Sequence, residues 1–193
     1  MSGQREDDRR GDGSWLGVVL VVVVLVGAKP AGDLARHHPP AKPRATIEAK
    51  VIAPPPASAS ARAEIPATYL ALYRGAAKLC PGLPWGVLAG IGKVETNHGR
   101  SRAPGVVDGV NAFGCCAGPM QFNIRNGPPS TWDTYGRGGN VYDPRDAIPA
   151  ATRMLCANGA PGDLRSAIFA YNHAGWYVDQ VLALARSYQA GRG

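Results

Sequence analysis

The chain has 193 residues, enough for one domain of ordinary size and a tail. Ala, Gly and Pro supply 72 of them, 18% are charged and 45% are hydrophobic, which excludes a coiled coil, a collagen-like chain and a polytopic membrane protein and disfavours a chain disordered throughout. The net charge of +7 is spread thinly: −1 over residues 1–28, +4 over 29–63 and +4 over 64–193. No Lys/Arg run of the nucleic-acid-binding kind occurs. The excess reads as general attraction to an anionic polymer or surface, or as a solvated basic face, and no nucleic-acid partner is expected.

The first zone, 1–28, holds an apolar run from Trp15 to Ala28. Fourteen uncharged residues are short for a membrane span, which wants about 20, and closer to a signal-peptide core. Val26-Gly27-Ala28 offers a small-residue cleavage site, while Arg5, Arg9 and Arg10 are offset by Glu6, Asp7, Asp8 and Asp12. A cleaved signal and an uncleaved N-terminal anchor both remain open. Either places the rest of the chain outside the cytoplasm, secreted to the cell wall or tethered to the membrane. The second zone, 29–63, is rich in Pro, Ala and basic residues and contains Pro54-Pro55-Pro56, the composition of a semi-rigid, disordered linker.

The third zone, 64–193, is the expected domain. Its patterns are helical. A helix is predicted from Pro66 towards Cys80, closed by Pro81. A second follows Pro84, with Leu88, Ile91 and Glu95 on one face. Residues 99–142 read as a Gly-rich, irregular central region. Asp143-Pro144 opens another helix, with Ile148, Ala151 and Leu155 facing inward. Leu164, Ala167, Ile168 and Tyr171 define the next, and Val178, Val181, Leu182 and Ala185 the last. The fold class is therefore mostly α, with five or six helices around a loop region. No internal repeat is present.

Glu95 stands out because the periodicity puts a carboxyl group against the core. An apolar surrounding raises a carboxyl pKa, which a general acid at neutral pH requires. The alternative is an ordinary surface Glu at a helix end.

The segment Glu95-Thr96-Asn97-His98-Gly99 resembles the Glu-Ser-x-x-Gly signature of lytic transglycosylases with a goose-type lysozyme-like fold. Gly118-Pro119-Met120-Gln121-Phe122 is similar to that family's Gly-x-Met-Gln-Phe segment, and Ala170-Tyr171-Asn172 to its Ala-Tyr-Asn motif. The three occur in the family's order, and Tyr142-Asp143-Pro144 starts a helix between the second and third. Thr96 stands for the usual Ser, and Cys115-Cys116 departs from the general pattern. The resemblance covers nearly all of 64–193 and none of 1–63.

It implies a lysozyme-like helical domain acting on peptidoglycan glycan strands. No cofactor or metal is expected, and the oligomeric state stays open, with a monomer the leading expectation. Glu95 would be the single catalytic acid/base. Gln121 and Asn172 would hydrogen-bond the sugar. Tyr171 would orient Glu95 or the sugar, and Met120 and Phe122 would pack the cleft wall. A hydrolase of the same fold would need a second carboxylate, with Asp108 the first candidate and Asp133 and Asp143 behind it. A non-catalytic peptidoglycan-binding module is the third reading. Ser101, Asp108 and Asn111 lie where substrate contacts would fall, with no pattern to assign them.

Cys80 and Cys156 lie near the ends of two helices and suit a bridge. Cys115 and Cys116 are adjacent, so at most one is expected to pair with a distant partner, and the connectivity stays open. A zinc site with His98 or His173 and a Cys-His nucleophile both lack supporting spacing.

Overall fold

The computed structural model describes residues 55–189. The apolar segment 15–28 and most of the expected linker lie outside the described residues. Seven α-helices are described: α1 (Ala59–Glu64), α2 (Ala67–Ala76), α3 (Trp85–Thr96), α4 (Thr131–Tyr135), α5 (Pro144–Ala157), α6 (Leu164–Tyr171) and α7 (Gly175–Tyr188). A 3₁₀ turn, Ala77–Leu79, extends α2. Two short strands, β1 (Cys116–Ala117) and β2 (Phe122–Asn123), pair antiparallel with Ala117 opposite Phe122. The described residues are mostly helical, as the periodicities predict.

The starts of the helices follow from their caps. Asp143 accepts the Arg145 N–H to open α5, and Asp163 accepts that of Ser166 to open α6. Ser130 and Asp133 form a reciprocal capping box on α4.

α3 is the centre. Every residue from Trp85 to Gly92 is buried, as expected of a helix that is apolar all round. α7 packs along it at close range because α3 presents Gly86 and Gly90 there. A Cβ on Gly90 would sit 2.7 Å from the Val181 carbonyl oxygen, and one on Gly86 equally close to that of Ala185. α2 covers another side through fully buried Tyr73. α5 contributes Ile148, Ala151 and Leu155, all fully buried. A disulfide joins Cys80, after the 3₁₀ turn, to Cys156 in the last turn of α5. With 76 residues between its ends, closing that loop in the unfolded chain contributes about 4 kcal/mol to stability.

One expectation needs correction: the linker reading runs to residue 63, but residues 55–63 belong to the fold. Ser58 caps α1, Ala61 is fully buried, and Ala57 bridges Gln189. The Trp85 indole N–H donates to the Pro55 carbonyl, and the Ser58 N–H to that of Tyr188. Cys115 and Cys116 pair with each other, which settles the connectivity the sequence leaves open.

Candidate active site

α3 ends in a left-handed turn. Asn97, His98 and Gly99 all have positive φ, and the His98 N–H returns to the Gly92 carbonyl at 2.7 Å. Glu95 lies in the last turn before this reversal, half-buried. Burial pushes its carboxyl pKa up to about 7, and a hydrogen bond from the Tyr177 hydroxyl at 2.5 Å pulls in the opposite direction. Tyr177 itself is buried and its hydroxyl is held protonated by burial and by the Glu95 charge. It is therefore a fixed donor, set opposite Glu95 by the close packing of α3 and α7.

The next residue ties α3 to the second motif. Thr96 is buried. Its hydroxyl donates to the Pro119 carbonyl at 2.7 Å and accepts the Gly99 N–H at 2.8 Å. Tyr171, from α6, donates to the Met120 carbonyl at 2.7 Å. The segment 118–122 is thus held from both sides, by the hydroxyl beside Glu95 and by the hydroxyl of the third motif. Gln121 has φ +49, an uncommon value for a non-glycine residue, at the tip of the β1–β2 hairpin.

Tyr171 is tied to Met120, and Thr96 to Pro119, while Gln121 bonds to Asn111, Gly105 and Gly118. Among the described residues the Glu95 side chain is hydrogen-bonded to Tyr177 and not to Gln121. Met120 is fully buried and Phe122 nearly so, with the Phe122 ring edge-on to Trp132 and Tyr171. Both belong to the hydrophobic core. Asn172 caps the C-terminus of α6 in extended backbone, half-buried, and among the described residues its carboxamide makes no hydrogen bond. The structure does not connect it to Gln121. An open groove of about 810 Å³ between α2 and the start of α5 is lined by Thr68, Leu72, Tyr142 and Asp143, and not by Glu95.

The three carboxylates considered as partners of Glu95 have different duties. Asp133 belongs to the α4 capping box. Asp143 caps α5 and pairs with Arg145 at 2.7 Å. Asp108 is exposed in the loop. His98 is buried between Tyr73 and Tyr188, its Nδ1 3.1 Å from the Tyr73 hydroxyl, and burial lowers its pKa to about 4. His173 packs edge-on to Phe169. With all four cysteines in disulfides, neither His has a thiolate to share a zinc ion with or to activate as a nucleophile.

Sequence reasoning missed Tyr177 and the bridging role of Thr96. Tyr177, Val181 and Tyr188 recur at helical spacing on α7, which marks a buried face. Nothing in that spacing names Glu95, 82 residues away, as the partner. No family model, curated protein or solved structure matches the chain.

Proposed function

We propose that the chain is a peptidoglycan lytic transglycosylase with Glu95 as its single acid/base. The observation that carries the reading is a half-buried carboxyl group poised near pH 7 and held by a buried tyrosine. At neutral pH a large fraction of Glu95 carries its proton, as a general acid must.

The steps balance without water. Glu95 gives its proton to the oxygen bridging N-acetylmuramic acid to N-acetylglucosamine, and the bond from that oxygen to the anomeric carbon breaks. The muramic C6 hydroxyl attacks the anomeric carbon and returns its proton to Glu95. The product is a 1,6-anhydro sugar. One carboxylate suffices because the nucleophile is part of the substrate, present at high effective concentration. The Tyr177 hydroxyl stabilises Glu95 once it is ionised. An exported position, reached through the segment 15–28, is part of this reading, since the substrate lies outside the membrane.

A hydrolase would leave a reducing muramic end and would need a second carboxylate across the cleft. Asp133 and Asp143 are already helix caps, so Asp108 is the candidate this alternative retains. The products discriminate. Mass spectrometry of peptidoglycan digested by the purified chain should show anhydro-muropeptides, each one water lighter than the hydrolytic product. Reducing-end muramic acid would transfer the assignment to a hydrolase. Folded protein that binds the wall without cutting it would favour the binding module. Glu95→Gln should abolish cleavage and leave wall binding in place.

A further inference from the structure

The loop before Gln121 contains a chain of hydrogen bonds whose direction is fixed at every link. Asn111 Oδ1 accepts three backbone N–H groups, those of Phe113 at 3.2 Å, Cys115 at 3.3 Å and Cys116 at 3.4 Å. The last two belong to the adjacent disulfide pair, so both N–H groups of the bridged residues converge on one oxygen. With its oxygen committed there, Asn111 must present its amide nitrogen elsewhere, and Nδ2 donates to Gln121 Oε1 at 3.2 Å. On the other side, Gln121 Nε2 faces two backbone carbonyls, Gly118 O at 2.9 Å and Gly105 O at 3.4 Å. Turning either carboxamide over would set donor against donor or oxygen against oxygen. The network therefore fixes which end of each is nitrogen.

A carboxamide has two donor hydrogens and two acceptor lone pairs. Both hydrogens of Gln121 are spent on the backbone, and one lone pair on Asn111. A single acceptor site on Oε1 is left.

We propose that Asn111 is a positioning residue that locks the Gln121 carboxamide so that it offers one acceptor, and no donor, to an N–H or O–H group of the glycan. The inference rests on the function proposed above and adds the polarity of one contact. The loop is anchored for this task. Tyr142 donates to the Gly109 carbonyl at 2.6 Å, and the Asn111 and Cys116 backbones pair at 2.8 Å. Phe113, exposed at the tip of the same loop, hangs from the Asn111 oxygen through its own N–H.

Asn111→Asp in the full chain tests the idea. The substitution keeps an oxygen for the three N–H groups and replaces the donor to Gln121 with a second oxygen. With purified, peptide-free glycan strands as substrate, KM should rise about tenfold, the scale of one hydrogen bond to a ligand, while kcat stays within about twofold. In a Gln121→Ala background the same substitution should add nothing, because the residue it acts through is gone. Asn111→Ala, which removes the donor outright, serves if the Asp variant does not fold, with the same expectation. An unchanged KM, or an effect as large in the Gln121→Ala background, overturns the positioning role alone. Wild-type chain that neither binds nor cleaves the strands overturns the proposed function and this inference with it.

Discussion

Glu95 owes its protonation state to where α3 ends. One turn earlier it would be enclosed, and beyond the left-handed turn it would be in water. Its folded pKa of about 7 lies above the ordinary value of 4.5. The folded chain thus binds this proton more tightly than the unfolded chain does. The contribution of this group to stability is complete below pH 4.5 and declines as pH rises to about 7, by on the order of 2 kcal/mol once solvent screening of a half-buried group is allowed for. Glu95→Gln should remove that decline, so denaturant curves at pH 5 and pH 8 should converge for the variant more than for wild type. Activity should fall as pH rises through 7, because the acid form is lost. Tyr177→Phe removes the bond that holds this pKa down. Its pH–rate profile should keep activity to higher pH while kcat drops about tenfold from lost positioning. The candidacy of Glu95 is readable because Leu88, Ile91 and Glu95 share a helical face. The partner is not, because a contact between residues 95 and 177 leaves no trace in local spacing.

The helices were legible where composition and caps agree, as at Asp143-Pro144 and along the Leu164–Tyr171 face. α1 was not. Ala-Ser-Ala-Arg-Ala-Glu has the composition of a linker, and it is helical because Ser58 caps it and α7 covers it. The β1–β2 hairpin is only two residues deep, too short for any alternation to show. The vicinal disulfide is a local closure that adjacency alone does not reveal. The contact of α3 with α7 carries the clearest consequence at this scale. A side chain at Gly90 would drive into the Val181 backbone, which cannot rotate away. Gly90→Val should therefore destabilise the fold by about 2–3 kcal/mol through overpacking. By spreading the two helices it should also weaken the Tyr177–Glu95 bond, so residual activity should fall more than the folded fraction does.

At the scale of the molecule, the folded unit is longer at its N-terminal side than the boundary at residue 64 allowed. Pro55 satisfies the buried Trp85 indole, Ala61 is sealed, and Tyr188 donates to Glu64 at 2.8 Å. A chain begun at residue 64 forfeits the first two and the Ser58–Tyr188 bond. It should be less stable than one begun at residue 55 by about 2–3 kcal/mol in urea unfolding, from the lost apolar burial and hydrogen bonds.

The pairing of Ala57 with Gln189 has a kinetic side as well. Ser60 meets Ser187, and Glu64 meets Tyr188, across 127 and 124 residues of sequence. Such contacts require nearly the whole described chain to be gathered before they repay the closure entropy, which at that length is about 4 kcal/mol. A ribosome releases residue 57 long before residue 189. During synthesis α1 therefore precedes α7 by more than a hundred residues, and until α7 is made it has only α2 and α3 to lie on.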